Sequence, residues 1–129
     1  CMQSVRDRRL VLHSDGMQSR NFIPMSEICN IIYHLVCKKL LNNIDSYSNP
    51  INVGLEQSYR LLEIATLIQD RSFLLFGYRP PISKVDNTND DSQLMLDYKI
   101  DTLLSLGYTF QYPIEDEIDL LLKYCHTQL

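Results

Sequence analysis

The chain has 129 residues, of which 45% are hydrophobic and 22% are charged, with four Gly and no Trp. This length fits one domain, and the apolar fraction excludes an intrinsically disordered chain. No apolar run approaches the roughly 18 residues needed to cross a bilayer, and the first residues lack the apolar core of a signal peptide. We therefore expect a globular domain with no membrane contact. Because translation starts at Met, Cys1 predicts a sequence cut from something longer.

The formal net charge of −4 is unevenly distributed along the chain. Residues 86–119 hold nine acids against Lys99 alone, a net of −8, so the rest carries +4. Such an acidic half repels a phosphate backbone, and we expect no nucleic-acid partner. Four arginines lie near the start and could meet a local anion, although a solvated charged face is the simpler interpretation. They are Arg6, Arg8, Arg9 and Arg20.

The sequence contains four cysteines: Cys1, Cys29, Cys37 and Cys125. The absence of a C-x-x-C pair excludes zinc-ribbon and thioredoxin-like sites. Cys29, Tyr33 and Cys37 recur every four residues, which predicts a core-facing helical stripe in which the thiols act as small hydrophobes. Metal binding with His34 and His126 is the less favoured alternative, and we expect no metal. Unpaired cysteines are typical of a reducing compartment, so we expect a cytoplasmic location.

The first elements in chain order are a strand over Arg9–Leu12, a turn over 14–16 and an extended piece over Asn21–Pro24. A helix follows from Ser26, a favoured N-cap residue, to about Leu41. A polar loop covers 45–50. Apolar residues at helical spacing predict the buried face of this helix: Ile28, Ile31, Ile32, Leu35 and Val36.

The middle of the chain predicts a buried strand over Ile51–Gly54 and a helix from Tyr59 to Asp70. A third strand is predicted over Phe73–Phe76, terminated by Gly77 and a Pro-Pro pair. Residues 83–92 are polar and predict a loop.

In the last third, a short strand is predicted over Leu94–Leu96, and Asp97 is predicted to cap a helix over Tyr98–Leu106 that ends at Gly107. A final helix begins near Pro113. Its predicted buried stripe is Ile114, Ile118, Leu121, Leu122 and Cys125. The fold class is therefore α/β, a small mixed domain of about four helices and short strands.

Recognisable catalytic patterns are scarce in this sequence. The four glycines are too dispersed for G-x-G-x-x-G or a P-loop, and no Tyr-x-x-x-Lys, G-x-S-x-G or H-E-x-x-H occurs. Solvation and helix capping account for the acidic groups at 90–91 and 115–117. From the residues alone we expect no catalytic and no cofactor-binding residue.

Several motifs nevertheless follow one another in a known order. The stretch Leu10–Glu27 resembles the strand, Gly-Asp-Gly-x-x-x-Arg-Asp-Phe/Tyr turn and helix start of extended short-chain dehydrogenase/reductases, the NAD(P)-dependent nucleotide-sugar epimerases, dehydratases and reductases. Residues 51–54 with 60–65 resemble the family's Asn-x-Gly strand and following helix. Residues 96–99 with 106–108 resemble its late Leu-Asp-x-Ser/Thr-Lys … Leu-Gly-Trp/Tyr helix, with one residue fewer before the Lys. The similarity covers about residues 9–126.

The resemblance implies that residues 1–129 are a single C-terminal substrate-binding domain of a Rossmann-like enzyme. In the family the Gly-rich cofactor motif and the Tyr-x-x-x-Lys pair lie upstream of this portion. NAD or NADP would then bind to an N-terminal dinucleotide-binding domain and not to these residues. The absence of catalytic residues is what the resemblance predicts.

By the same resemblance, Arg20 occupies the place of the Arg that meets the diphosphate of the nucleotide sugar, which suits a planar guanidinium. A surface Arg on a turn remains the alternative. Phe22 matches the aromatic after that Arg, where packing is its expected role. The family's second phosphate-contacting Arg has no clean counterpart, since Thr88 stands in its place, and Arg79 is the candidate substitute. Asn21 replaces the usual Asp.

Two interpretations stay open at this point. The first is the substrate-binding part of an enzyme acting on a nucleotide sugar, with its own Rossmann domain as partner. The second is a non-enzymatic interaction module that retains the fold of such a domain. Because Ile51–Gly54 would pair within the absent parallel sheet, we also expect exposed edges and self-association of the chain.

Overall fold

A computed structural model describes residues 1–42, 50–84 and 97–128. In these ranges the chain forms five helices and four short strands. In order they are α1 (Met2–Arg6), β1 (Leu10–Leu12), β2 (Ser19–Arg20), α2 (Met25–Asn42), β3 (Tyr59–Arg60), α3 (Leu61–Phe76), β4 (Ile82–Lys84), α4 (Asp101–Ser105) and α5 (Ile114–Thr127). The mixed α/β class is confirmed. The predicted strand Leu94–Leu96 and most of the two predicted polar loops lie outside the described residues.

The strands form two separate pairs. β1 pairs with β4 in parallel, with Leu10 opposite Ile82, and β2 pairs with β3 antiparallel, with Arg20 opposite Tyr59. The predicted β1 is confirmed, but β2 lies just before the predicted extended piece Asn21–Pro24. Sequence periodicity missed β4 because only three residues form it and its side chains are half-buried or exposed.

Helix α3 is longer than predicted. The strand predicted over Phe73–Phe76 is wrong, because these residues form the last turn of α3, and the predicted helical start at Tyr59 belongs to β3. A four-residue apolar run is compatible with either structure, and no Gly or Pro interrupts the chain before Gly77. Gly77 ends the helix in the left-handed region at φ 76°, where a side chain is strained. The predicted stop signal was therefore correct, and only the element before it was misassigned.

Helix α2 is confirmed, but its predicted N-cap and core-facing stripe are wrong. Ser26 lies inside the first turn, where its hydroxyl donates to Glu117 Oε2 at 2.9 Å. Cys29 and Tyr33 are exposed, Tyr33 by 68%, and Cys37 is half-buried. Of the predicted buried face, Ile31 is confirmed and Ile28 and Leu35 are half-buried, but the prediction is wrong at Ile32 and Val36, which are 56% and 51% exposed. Glu27, which was not predicted to be buried, is 0% exposed.

No strand forms over the predicted Ile51–Gly54. The segment is nevertheless closely packed at Gly54, where a Cβ would come within 2.5 Å of the Tyr98 ring and 2.6 Å of Asn21 Oδ1. Asp97 does not cap a helix either, since α4 begins at Asp101 after an Ile100 N-cap. Gly107, with φ 75°, does follow that helix as predicted.

The N-terminal helix α1 was not predicted. Its Ser4 is completely buried, with its hydroxyl 3.3 Å from that of Ser72, and the Tyr78 hydroxyl donates to Ser4 O at 2.9 Å. Cys1 and Val5 pack against the residues that join α3 to α5. The polar start of the chain is thus anchored by hydroxyl contacts that helical periodicity does not reveal.

Two buried clusters organise most of the packing. The α2–α4 core contains Ile31, Ile100, Leu103 and Tyr108. The α3–α5 core contains Ile64, Ile114, Ile118 and Leu122. A smaller group beside them joins β1 to α3. None of the described helices is long and apolar enough to span a membrane.

The stripe predicted for α5 is confirmed except at Leu121, which is 45% exposed, whereas its neighbour Leu122 is 0% exposed. We expect Leu122→Ala to lower the free energy of unfolding by about 2–5 kcal/mol, because it removes buried methyl groups and leaves a cavity. Leu121→Ala is the matched control and should cost less than about 1 kcal/mol. Urea denaturation of both variants measures the difference, and equal losses would contradict this assignment of the buried face.

An ion pair also joins α3 to α5. Arg71 Nε donates to Asp119 Oδ1 at 2.7 Å, and a second nitrogen of the guanidinium contacts Oδ2. The side chains are 27% and 15% exposed, respectively. The hydrogen bonds from Arg71 lower the pKa of Asp119 against the opposing effect of partial burial. The pair therefore fixes the ionised form of Asp119 between the two helices.

This pair should make stability depend on pH. Because the folded-state pKa of Asp119 lies below its unfolded value of about 3.9, the contribution is complete above that value and disappears as pH falls through the folded-state pKa. We expect Arg71→Gln to lower the melting temperature at pH 7 and to have a progressively smaller effect as pH falls below about 4. Arg6→Gln, at the exposed pair with Asp7, is the control and should change little at either pH. A loss for Arg71→Gln that is independent of pH would disprove the electrostatic origin.

Candidate functional site

The candidate site is built around Arg20 on β2. Ser19 is buried and Arg20 is exposed, as expected for neighbouring residues on opposite faces of a strand. The Arg20 guanidinium donates to Ser19 O at 3.0 Å and to Gln18 Oε1 at 3.4 Å. No carboxylate of the described residues lies within 4 Å of it, whereas Arg6, Arg71 and Arg79 each pair with an aspartate. Arg20 therefore presents an exposed cationic group without a protein counter-ion in the described ranges.

Asn21 fixes the backbone that carries Arg20. Its amide Nδ2 donates to Leu55 O at 2.7 Å, and its Oδ1 accepts from Leu55 N–H at 2.9 Å. Both halves of the amide are used, which a carboxylate could not do because it has no donor. The Asp that follows the Arg in the resembled motif could not make both contacts, so an amide at position 21 has a local structural reason.

The turn before Arg20 closes the start of α3. Leu61 N–H donates to Gln18 O at 3.0 Å, and Leu62 N–H donates to Gly16 O at 2.9 Å. Arg60 N–H donates to Glu63 Oε2 at 2.7 Å. These donors, which would otherwise attract an anion at a helix N-terminus, are already occupied. Three backbone donors at the N-terminal end of α3 are therefore not available to an anion.

Phe22 and Tyr59 are neighbours of Arg20, and both pack against the α3–α5 core. Phe22 is half-buried and packs there, in agreement with its expected packing role. Tyr59 is directly opposite Arg20 across the two strands and packs against the same core. Burial, followed by the charges of Glu115 and Glu63, raises the pKa of Tyr59. The place of Tyr59 beside Arg20 was not predicted, because the pairing that puts them opposite each other joins segments about 40 positions apart.

Arg79 lies away from Arg20. It forms an ion pair with Asp70 at 2.9 Å, and its guanidinium carbon is 5.2 Å from the centre of the Phe73 ring. Both contacts are in the C-terminal half of α3, a helix about 24 Å long. Arg20 instead pairs with Tyr59, two residues before the N-terminal end of that helix. The structure therefore does not bring the two predicted phosphate-binding guanidinium groups together.

A cavity of about 580 Å³ adjoins the opposite face of the β2–β3 pair. Its lining includes Ser19 and Arg60, together with the carboxylates of Glu56, Glu63 and Asp97. Three carboxylates against one guanidinium disfavour a diphosphate in this cavity.

The histidines and glycines of the described residues lie apart from one another. No group of three or more His, Cys, Asp or Glu side chains in the described ranges could hold a metal ion. His34 contacts Leu106 O at 3.1 Å, and His126 stacks on Phe76. The glycines lie apart, and Gly54 is closed off by the Tyr98 ring.

With this geometry established, comparison with solved structures identifies the fold. The chain is similar to a UDP-N-acetylglucosamine 4-epimerase from Methanobrevibacter ruminantium in complex with UDP-N-acetylmuramic acid (TM-score 0.65, 19% identity, 99% of this chain and 38% of that one). It is similar to RMD from Pseudomonas aeruginosa complexed with NADPH (TM-score 0.73, 14% identity, 99% of this chain and 39% of that one). It is also similar to the UDP-glucuronic acid 4-epimerase from Bacillus cereus in complex with UDP-glucuronic acid and NAD (TM-score 0.70, 16% identity, 99% of this chain and 38% of that one).

The fold is that of the C-terminal part of extended short-chain dehydrogenase/reductases. The chain spans less than two fifths of the length of the three structures named above. No protein-family model matches the sequence, and no curated protein is detectably similar to it. At 14–19% identity, the structural similarity concerns the fold, and the role of each side chain must be argued from its own surroundings.

The amide of Asn21 provides a test of how the Arg20 strand is held. We expect Asn21→Asp to lower the free energy of unfolding by about 1–3 kcal/mol, because Leu55 O loses its donor and faces a carboxylate. Asn52→Asp is the control, since Asn52 is exposed and donates one bond, to Lys99 O at 3.0 Å. Thermal or urea unfolding compares the two variants. Similar losses would show that the two-sided contact with Leu55 has no special weight.

Proposed function

We propose that residues 1–129 are the substrate-binding domain of a cytoplasmic, NAD(P)-dependent enzyme that epimerises, dehydrates or reduces a nucleotide sugar. The observation that carries the proposal is the Arg20 guanidinium. It is exposed, has no carboxylate partner among the described residues, and is carried on a strand that Asn21 fixes to Leu55. The solved structures that share this fold include complexes with UDP-sugars, NAD and NADPH.

In this proposal Arg20 binds the diphosphate of the substrate. Its planar fork can donate two parallel hydrogen bonds to phosphate oxygens, and burial by the ligand would strengthen both. Phe22 supports the strand from the core side, and Arg79 takes no part because Asp70 and Phe73 hold it elsewhere. Hydride chemistry belongs to a dinucleotide bound by a separate N-terminal Rossmann domain, and these residues alone should bind NAD(H) weakly or not at all.

An interaction module without catalytic function is the second candidate. The position of Arg79 favours this second candidate. Arg79 was predicted to share the diphosphate with Arg20, but it pairs with Asp70 instead. Arg20 is therefore left without the second guanidinium that was predicted. One guanidinium supplies roughly half of the charge compensation that two would provide. Direct measurement of ligand affinity separates the two candidates.

We expect Arg20→Ala to weaken the binding of UDP-glucuronic acid by about 10- to 100-fold, as expected for the loss of charge-assisted hydrogen bonds worth about 1.5–3 kcal/mol. The measurement is isothermal titration calorimetry of the polypeptide that includes its dinucleotide-binding domain, repeated with GDP-mannose to cover a different nucleotide. Arg79→Ala is the matched control, because Arg79 is also an exposed arginine but is bound to Asp70. It should leave the affinity unchanged.

Unchanged affinity in Arg20→Ala would remove this residue from the site. If neither nucleotide sugar binds to any variant, the result would favour the interaction module. NAD(H) binding by residues 1–129 alone, at an affinity close to that of the longer polypeptide, would contradict the assignment of the cofactor to another domain.

A further inference from the structure

A cavity of about 300 Å³ lies where β3 meets the N-terminal end of α5. We call it the aromatic cavity, because Tyr59, Phe110 and Tyr112 line it together with the carboxylate of Glu115. The rest of its lining is apolar or amide, and Arg20 takes no part in it. Small-molecule sites have volumes of about 300–1,000 Å³, so this cavity suits a compact ligand.

The segment that carries two of the three rings is held in place by a buried side chain. The backbone N–H groups of Gln111 and Tyr112 donate to Glu27 Oε2 at 3.2 and 2.7 Å. The Phe110 ring lies edge-on to the Tyr108 ring, with 5.4 Å between the ring centres. The backbone on this side of the cavity is therefore fixed before any ligand binds, which lowers the entropic cost of binding.

The third ring lies beside the one carboxylate of the cavity. Tyr59 is held by its strand pairing with Arg20 and by the α3–α5 core. Burial raises the pKa of Tyr59, and the charge of Glu115 raises it further, so the carboxylate is near this hydroxyl. Glu115 also belongs to an acidic first turn, with Asp116 and Glu117, which opposes the positive end of the α5 dipole. The cavity therefore has a net negative character.

No cation of this chain occupies the aromatic cavity. All 12 Lys and Arg residues and all three His lie in the described ranges, and none of them lines it. The cation–π contacts of the described residues involve Tyr78 and Phe73 instead. Glu115 has no Lys, Arg or His partner within 4 Å in those ranges. Because ring faces and a carboxylate both attract positive charge, the complementary cation must come from a ligand.

The chemistry of the lining selects among cations. A primary ammonium or a guanidinium needs several acceptors to replace its water, since it carries three or more N–H donors. An N-methylated ammonium needs none, because its methyl groups pack against ring faces that attract its charge. Three rings and one carboxylate therefore favour the methylated cation.

We propose that the aromatic cavity binds a small quaternary ammonium compound, with the three rings against its methyl groups and Glu115 as its counter-ion. The proposal goes beyond nucleotide-sugar binding and does not depend on it. Arg20 does not line this cavity, so the cation and an anionic substrate would occupy different places.

Choline chloride is the probe, and its methyl resonance is followed by NMR in a titration with the natural polypeptide that contains residues 1–129. We expect saturable binding of choline. The uncharged carbon analogue 3,3-dimethyl-1-butanol should bind about 10-fold more weakly, because it has the same shape without the charge. Ethanolamine, which has the charge without the methyl groups, should bind about 5-fold more weakly.

Matched variants assign the binding to this cavity. Tyr112→Leu should weaken choline binding about 5-fold, whereas Tyr112→Phe retains the ring and should retain the affinity. Glu115→Gln should weaken choline binding about 10-fold. Tyr124→Leu and Asp116→Asn are the controls and should change nothing, since both residues are exposed and neither lines the cavity. Circular dichroism and the melting temperature verify that each variant folds.

Four results would overturn the inference. The first is the absence of saturable choline binding. Equal affinities for choline and its uncharged analogue would show an apolar site, and equal affinities for choline and ethanolamine would show a simple ion pair. Full affinity in both Tyr112→Leu and Glu115→Gln would place the choline elsewhere on the protein.

Discussion

The buried carboxylate of Glu27 connects α2 to the segment between α4 and α5. Its side chain is 0% exposed, and a charge in such a place is tolerated only when donors surround it. Three donors do so: the Tyr108 hydroxyl and the backbone N–H groups of Gln111 and Tyr112, at 3.2 and 2.7 Å for the last two. Burial and the hydrogen bond to Glu27 raise the pKa of Tyr108, which keeps its hydroxyl a donor. The segment between α4 and α5 is therefore held by one side chain of α2.

The elements that sequence predicted well are those with local chemical signals. Gly77 and Gly107 end their helices in the left-handed region, and Pro113 precedes α5 as expected. The errors occur where burial depends on distant residues. Tyr33 has the spacing of a core residue but lies on the exposed face of α2, because helical periodicity identifies apolar faces without showing which one is covered. Similarly, an apolar run such as Phe73–Phe76 carries no information about the α5 side chains that stabilise it as a helix.

The candidate site was predictable in part for the same reason. Arg20 could be selected because its motif is contiguous, and the exposure of its side chain on β2 is consistent with that selection. Arg79 was selected only by closeness in sequence to a missing arginine, and its contacts with Asp70 and Phe73 depend on the extension of α3 that the sequence did not indicate. Tyr59 became visible only through the register of β2 and β3. The role of a residue can be predicted from sequence when it depends on one contiguous segment. When it depends on contact between two distant segments, the folded structure is needed.

The parallel pairing of β1 with β4 also constrains how this chain folds. Leu10 and Ile82 are register partners although they are 72 positions apart, and α2 and α3 lie between them in sequence. Closing so long a loop costs conformational entropy that local contacts must offset first, so the pair should form late, after α3 has docked. Until then β1 is an apolar strand with both edges unpaired, which can associate with another chain. The yield of refolding should therefore fall as protein concentration rises, even when the native state is stable.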